Sequence, residues 1–132
     1  MYLVDTSVWV DFFRNRSTRA VAHFEDILNE NAPYGITSVI YQEVLQGADS
    51  PKDFSMLQTY LSTQKFYHPI DPLQSYDQAA SLYAQCRRQG ITIRSTIDCL
   101  IAQIAIEQKL RLLHSDRDFT KMASAVKNLK LA

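Results

Sequence analysis

Apolar residues in this chain follow two patterns that alternate along it. Short continuous runs occur at Tyr2-Leu3-Val4, Tyr34-Gly35-Ile36 and Leu110-Arg111-Leu112-Leu113-His114. Runs of that length read as buried parallel strands. Phe66-Tyr67-His68-Pro69-Ile70 reads as a further strand, placed at an edge because Pro69 cannot donate to a ladder. Asn128-Leu129-Lys130-Leu131 adds a last short one. Between the runs, apolar positions recur at helical spacing. They are Val8, Trp9, Phe12 and Phe13, then Ala20, Val21, Phe24, Ile27 and Leu28, then Val39, Ile40, Val44 and Leu45. Phe54, Leu57, Tyr60 and Leu61 follow, then the Tyr76–Cys86 stretch, and finally Met122, Ala123 and Val126. Pro33, Gly47, Asp49-Ser50-Pro51, Asp71-Pro72 and Arg87-Arg88-Gln89-Gly90 punctuate the helices as caps and stops.

One segment stands apart. Arg94 to Glu107 is apolar almost all the way round, as a helix buried in a core is. The alternation as a whole predicts an α/β fold. Its expected form is a three-layer α/β/α domain with a mostly parallel sheet of four or five strands, spanning residues 1–132 as one domain.

Composition narrows this little. A hydrophobic content of 46% and a charged content of 21% are those of a globular chain, and only three glycines argue against a turn-rich all-β fold. Cys86 and Cys99 lie in predicted helices and are expected as buried free thiols. No apolar run reaches membrane-spanning length. The N-terminus has no basic segment ahead of an apolar one, so a cytoplasmic location is expected. The net charge of zero does not announce a nucleic-acid binder. If four acids gather at one site, however, ten acids face fourteen bases elsewhere.

Acids stand at telling places. Asp5 and Asp116 directly follow predicted strands, at the sheet edge where open α/β folds hold ligands. Each acid has a structural reading beside the functional one. Asp5 serves as a turn or cap. Asp98 closes a capping box, Ser95-Thr96-Ile97-Asp98, and suits the dipole of a first turn; taken alone, that is its stronger reading. Glu43 projects from the edge of an apolar face, where an isolated Glu reaches back to solvent. Asp118 is the better candidate to cap the last helix, and Asp116 the weaker. Taken together, the picture changes. Four carboxylates in one pocket raise one another's pKa and call for cations. Hard divalent ions, Mg²⁺ or Mn²⁺, fit such oxygen donors, and no HExxH or CxxC spacing points to zinc. A site of this kind suits phosphodiester cleavage. The chain has neither a Gly-rich phosphate loop nor a GxSxG elbow.

Four segments then carry a resemblance: Leu3-Val4-Asp5-Thr6-Ser7-Val8-Trp9, Gln42-Glu43-Val44-Leu45-Gln46-Gly47, Thr96-Ile97-Asp98-Cys99-Leu100-Ile101-Ala102 and Leu113-His114-Ser115-Asp116-Arg117-Asp118-Phe119. In this order, over nearly the whole length, the chain resembles a PIN-domain ribonuclease of the VapC type, the toxin of a bacterial toxin–antitoxin pair. The resemblance implies that Asp5, Glu43, Asp98 and Asp116 are the catalytic acids and the ligands of one or two Mg²⁺ or Mn²⁺ ions. Thr6 or Ser7 would orient Asp5 or a water. Asp118 would be an outer ligand ranked below Asp116, and His114 would lie close by without serving as a base. It further implies an endoribonuclease that cuts tRNA or ribosomal RNA to arrest translation, and a homodimer. It also implies a VapB-type antitoxin that covers the acids and carries the pair to promoter DNA, with no role for a membrane.

Two other readings compete. A PIN-like regulatory binding module with little nuclease activity would keep the fold, but a decayed site should have lost ligands and this acid set is full. A receiver-like domain would need adjacent acids after the first strand and a late lysine at the site. Asp5 stands alone, and Lys121 falls on the last helix.

Overall fold

The computed structural model describes residues 1–132. Four parallel strands form one sheet in the order β2-β1-β3-β4. They are β1 (Tyr2–Val4), β2 (Tyr34–Gly35), β3 (Arg111–Leu113) and β4 (Lys130–Leu131). Seven helices connect them: α1 (Thr6–Phe13), α2 (Arg19–Asn29), α3 (Ser38–Gln46), α4 (Pro51–Leu61), α5 (Pro72–Arg88), α6 (Thr96–Glu107) and α7 (Arg117–Ala125).

The sequence places β1 at the centre because Leu3 and Val4 are apolar with nothing polar between them, and both are fully buried. Tyr2 pairs with Tyr34 on one side and Arg111 on the other, and Val4 pairs with Leu113. Because all four strands are parallel, each connection must cross over the sheet, and these connections carry the helices. On one face, α1 packs on α2 and α3, and α3 on α4; on the other, α5, α6 and α7 pack on one another, giving the three layers. The apolar helix predicted around residues 94–107 is α6. Cys99, Leu100, Ile101, Ala102, Ile104 and Ala105 are all buried there. Cys86 and Cys99 are buried free thiols, as expected.

The expected fifth strand is a correction. Residues 66–70 form only an isolated bridge between Ile36 and Phe66. Its bonds run from Ile36 N to Lys65 O and from Tyr67 N to Ile36 O. Pro69, two residues on, has no N–H to extend the ladder. Close approach at this edge also explains Gly35. A Cβ there would lie 2.4 Å from the Lys65 carbonyl and 2.7 Å from the Tyr67 ring.

Trp9 is the largest fully buried side chain. Its ring lies edge-on to Phe24 at 4.9 Å between centroids and stacks near Phe13. Its indole Nε1 donates to the Val4 carbonyl at 3.1 Å, at the last residue of β1. No helix is long and apolar enough to cross a membrane.

Candidate active site

The acids arrive at one sheet edge because four elements end or begin there. Asp5 follows β1 directly. Its backbone N–H closes the ladder on the Leu113 carbonyl, and its side chain caps α1. Asp116 stands three residues beyond β3 and caps α7. Glu43 lies on α3, and Asp98 in the first turn of α6. Asp98 feels the charges of Asp5, Asp116, Glu43 and Asp118, so the four acids named from the sequence, and Asp118, share one field.

Two of these placements correct the expectations. Asp116, not Asp118, is the N-cap of α7: its Oδ1 accepts from the Asp118 N–H at 2.9 Å. The Ser95–Asp98 capping box is not closed either. Ser95 Oγ accepts from Ile97 N at 3.3 Å, and the Asp98 carboxylate takes part in no hydrogen bond. The capping-box contact that competed for Asp98 is therefore absent, while its place in the first turn, favoured by the helix dipole, remains.

Each of the other acids has a tether. Ser7 donates to Asp5 Oδ2 through its hydroxyl at 2.7 Å and its N–H at 3.1 Å. Ser7 Oγ also accepts from Ser115 N at 3.0 Å, linking the ends of β1 and β3. Thr6 donates to Glu43 Oε1 at 2.7 Å. Neighbouring hydroxyls thus divide between two acids, Ser7 to Asp5 and Thr6 to Glu43. Asp116 is held by Arg94, whose Nη2 lies 3.1 Å from Oδ1. His114 Nδ1 accepts from Asp116 N at 3.2 Å, so the ring serves the loop as an acceptor, and burial lowers its pKa.

The electrostatics follow from burial first and from neighbouring charge second. Burial pushes Asp5 up to about 6, against the pull of the Ser7 bonds. Burial, reinforced by the surrounding carboxylates, pushes Asp98 up to about 7. Asp118 goes the other way. Burial alone would raise it, but the bonds and charge of Arg94 bring it below the usual carboxylate value. Asp118, which the sequence ranks as an outer ligand, thus has Oδ2 engaged by Arg94. Arg94 itself escapes sequence reasoning. It stands just before a helix cap, and its partners lie 22 and 24 residues away.

Raised carboxyl pKa values mean that the fold favours the protonated acids. That contribution is full below the unfolded value of 3.8 and is lost as pH rises through about 6 for Asp5 and about 7 for Asp98. In cation-free buffer at pH 8, Asp98→Asn is expected to stabilise the chain by about 1–2 kcal/mol, discounted for the partial exposure of the site. The gain is expected to shrink toward zero near pH 4. Thermal melts of both proteins across this range check it, and a variant no more stable than the parent at pH 8 would refute it.

No three carboxylate, imidazole or thiol groups enclose a common point at metal-ligating distance. What is present is a group of carboxylate oxygen donors that feel one another's charge, with one untethered acid. Mg²⁺ uses few protein carboxylates and keeps several waters, so this donor set fits it.

Comparisons with known proteins give the family and the fold. The PIN domain family model matches residues 2–125. Ribonuclease VapC11 of Mycobacterium tuberculosis and VapC ribonuclease Mb1587 of Mycobacterium bovis are each 34% identical over 133 residues. The alignments cover 100% of this chain and 98% of each relative. In fold, the chain resembles VapBC2 from Rickettsia felis bound to a DNA fragment from their promoter, with a TM-score of 0.75 at 19% identity. It also resembles DNA-bound VapBC from Salmonella typhimurium, with a TM-score of 0.76 at 16% identity. Both cover 99% of this chain and 96% of the matched chain. The chain belongs to the PIN domain family and, within it, to the VapC ribonucleases.

Proposed function

We propose that the chain is a metal-dependent endoribonuclease, the toxin of a toxin–antitoxin pair, with Asp5, Glu43, Asp98 and Asp116 as its catalytic acids. The observation that carries this reading is Asp98: a carboxylate in the first turn of a buried helix, with no hydrogen bond, in the field of four other acids. Such an arrangement costs stability, and the favourable first-turn dipole, worth about 0.3–1 kcal/mol, offsets only part of it.

One or two Mg²⁺ or Mn²⁺ ions, when bound, would lower the pKa of a water and offset charge on a scissile phosphate. The chain's own part is to hold the ligands. Ser7 fixes Asp5 on one oxygen, and Thr6 fixes Glu43 on one oxygen. Asp98, which burial and its neighbours otherwise hold toward the protonated form, would be the ligand most changed by a bound ion. The substrate is RNA, with tRNA or ribosomal RNA as the target and translation arrest as the outcome. A VapB-type antitoxin covers the acids with a basic side chain and carries the pair to promoter DNA, and the toxin works as a cytoplasmic homodimer. Residues 1–132 act as one nuclease domain.

The test is cleavage of total RNA, including tRNA and ribosomal RNA, by purified protein with Mg²⁺ or Mn²⁺ and with EDTA. Fragmentation that requires the ion is expected. No cleavage by folded, ion-loaded protein would turn the reading toward a regulatory binding module, and cleavage that persists in EDTA would remove the metal from the mechanism.

A further inference from the structure

We infer that Arg94 and Asp118 are a positioning pair that fixes the orientation of Asp116, and with it the affinity of the acidic pocket for a divalent cation. This rests on the reading of the pocket as a metal site.

The argument begins with Asp118. Its side chain is only 3% exposed, so the charge needs partners. Both come from one residue. The Arg94 backbone N–H and Nε each donate to Oδ2 at 3.1 Å. With Nε held there, the planar guanidinium presents Nη2 to Asp116 Oδ1 at 3.1 Å. The Asp118 N–H reaches the same oxygen at 2.9 Å. Asp116 is therefore gripped through Oδ1 from two directions, while Oδ2 has no protein hydrogen bond. Thr6 likewise engages only one oxygen of Glu43.

The pair also spans two elements. Arg94 directly precedes Ser95, the cap of α6, and Asp118 lies in the first turn of α7. Their bonds tie the start of the helix that carries Asp98 to the start of the helix that Asp116 caps. The fork geometry matters here. A lysine supplies one point charge and cannot hold two carboxylates in a fixed plane.

The sign of the effect separates this role from simple shielding. Arg94 is a cation beside a cation site, so removing its charge alone should tighten metal binding. Loss of an orienting contact should weaken it, by about 10–100-fold for outer contacts of this kind.

The experiment is a Mn²⁺ titration of the purified chain without RNA, read by the paramagnetic resonance of the free ion, with melts alongside. Arg94→Gln alters a side chain that is 68% exposed, so the fold is expected to survive. It is expected to weaken Mn²⁺ binding about tenfold, and Arg94→Lys nearly as much. Asp118→Ala is expected to do the same, and the double variant to be no weaker than the worse single one, because both act through one arrangement. Should Asp118→Ala fail to fold, the two Arg94 variants decide. Unchanged or tighter Mn²⁺ binding in Arg94→Gln, with or without a lower melting temperature, would overturn the pair's role. A parent chain that binds no Mn²⁺ would instead remove the metal site on which the inference stands.

Discussion

An Asp98→Asn variant is expected to cleave RNA about 10²–10³-fold more slowly than the parent at saturating Mg²⁺ or Mn²⁺, the loss of several kcal/mol of charge stabilisation. Asparagine has nearly the same shape and cannot balance a cation. Asp98 makes no hydrogen bond in the fold, so the change removes no structural contact. The loss should therefore fall on the chemistry, with circular dichroism unchanged and the metal-free melting temperature at pH 8 raised. That opposition of signs is informative. A damaged fold would lower both activity and stability, whereas removal of a strained functional acid lowers one and raises the other. Single-turnover cleavage at saturating metal measures it, and a rate within tenfold of the parent would take Asp98 out of the site.

Trp9→Ala is expected to cost about 3–5 kcal/mol, a large share of the stability of a domain this size. Trp9 is fully buried among Phe12, Phe13, Phe24 and Tyr34, so truncation opens a cavity that rigid aromatic neighbours cannot close. It also strips the Val4 carbonyl of its indole donor. Val4 immediately precedes Asp5, so the damage reaches the site by the shortest route. A fall in melting temperature of about 10–20 °C is expected, with Trp9→Phe losing less. Denaturant melts at fixed pH give the free energy, and a loss below 1 kcal/mol would show that the aromatic cluster can collapse around the gap.

The four strands and the helices were legible because their apolar periods are clean and their stops are strong. Thr18, Thr37, Ser50, Asp71 and Ser95 all cap helices where the sequence puts small polar residues before an apolar period. The misread segment, residues 66–70, is apolar and β-prone, but its pairing partner offers only Ile36, and local composition carries no information about partner length. The acids that follow strands were legible from topology. Their tethers were not. Two acids two residues apart both fit a cap, and the choice between Asp116 and Asp118 is made by Arg94, which pulls Asp118 inward and leaves Asp116 at the helix end. That contact spans 24 residues and two elements, and no local pattern encodes it.

The outermost strands of the sheet, β2 and β4, are two residues long, and the β2 side is closed by a single bridge. A free edge that short offers an incoming chain too few backbone groups to register against, and Lys127 and Lys130 flank the β4 side. Short, lysine-flanked edges disfavour strand addition, both as a route to fibrous aggregation and as a means of recruiting an extended peptide. Association is left to side chains, where shape and charge rather than backbone pairing choose the companion.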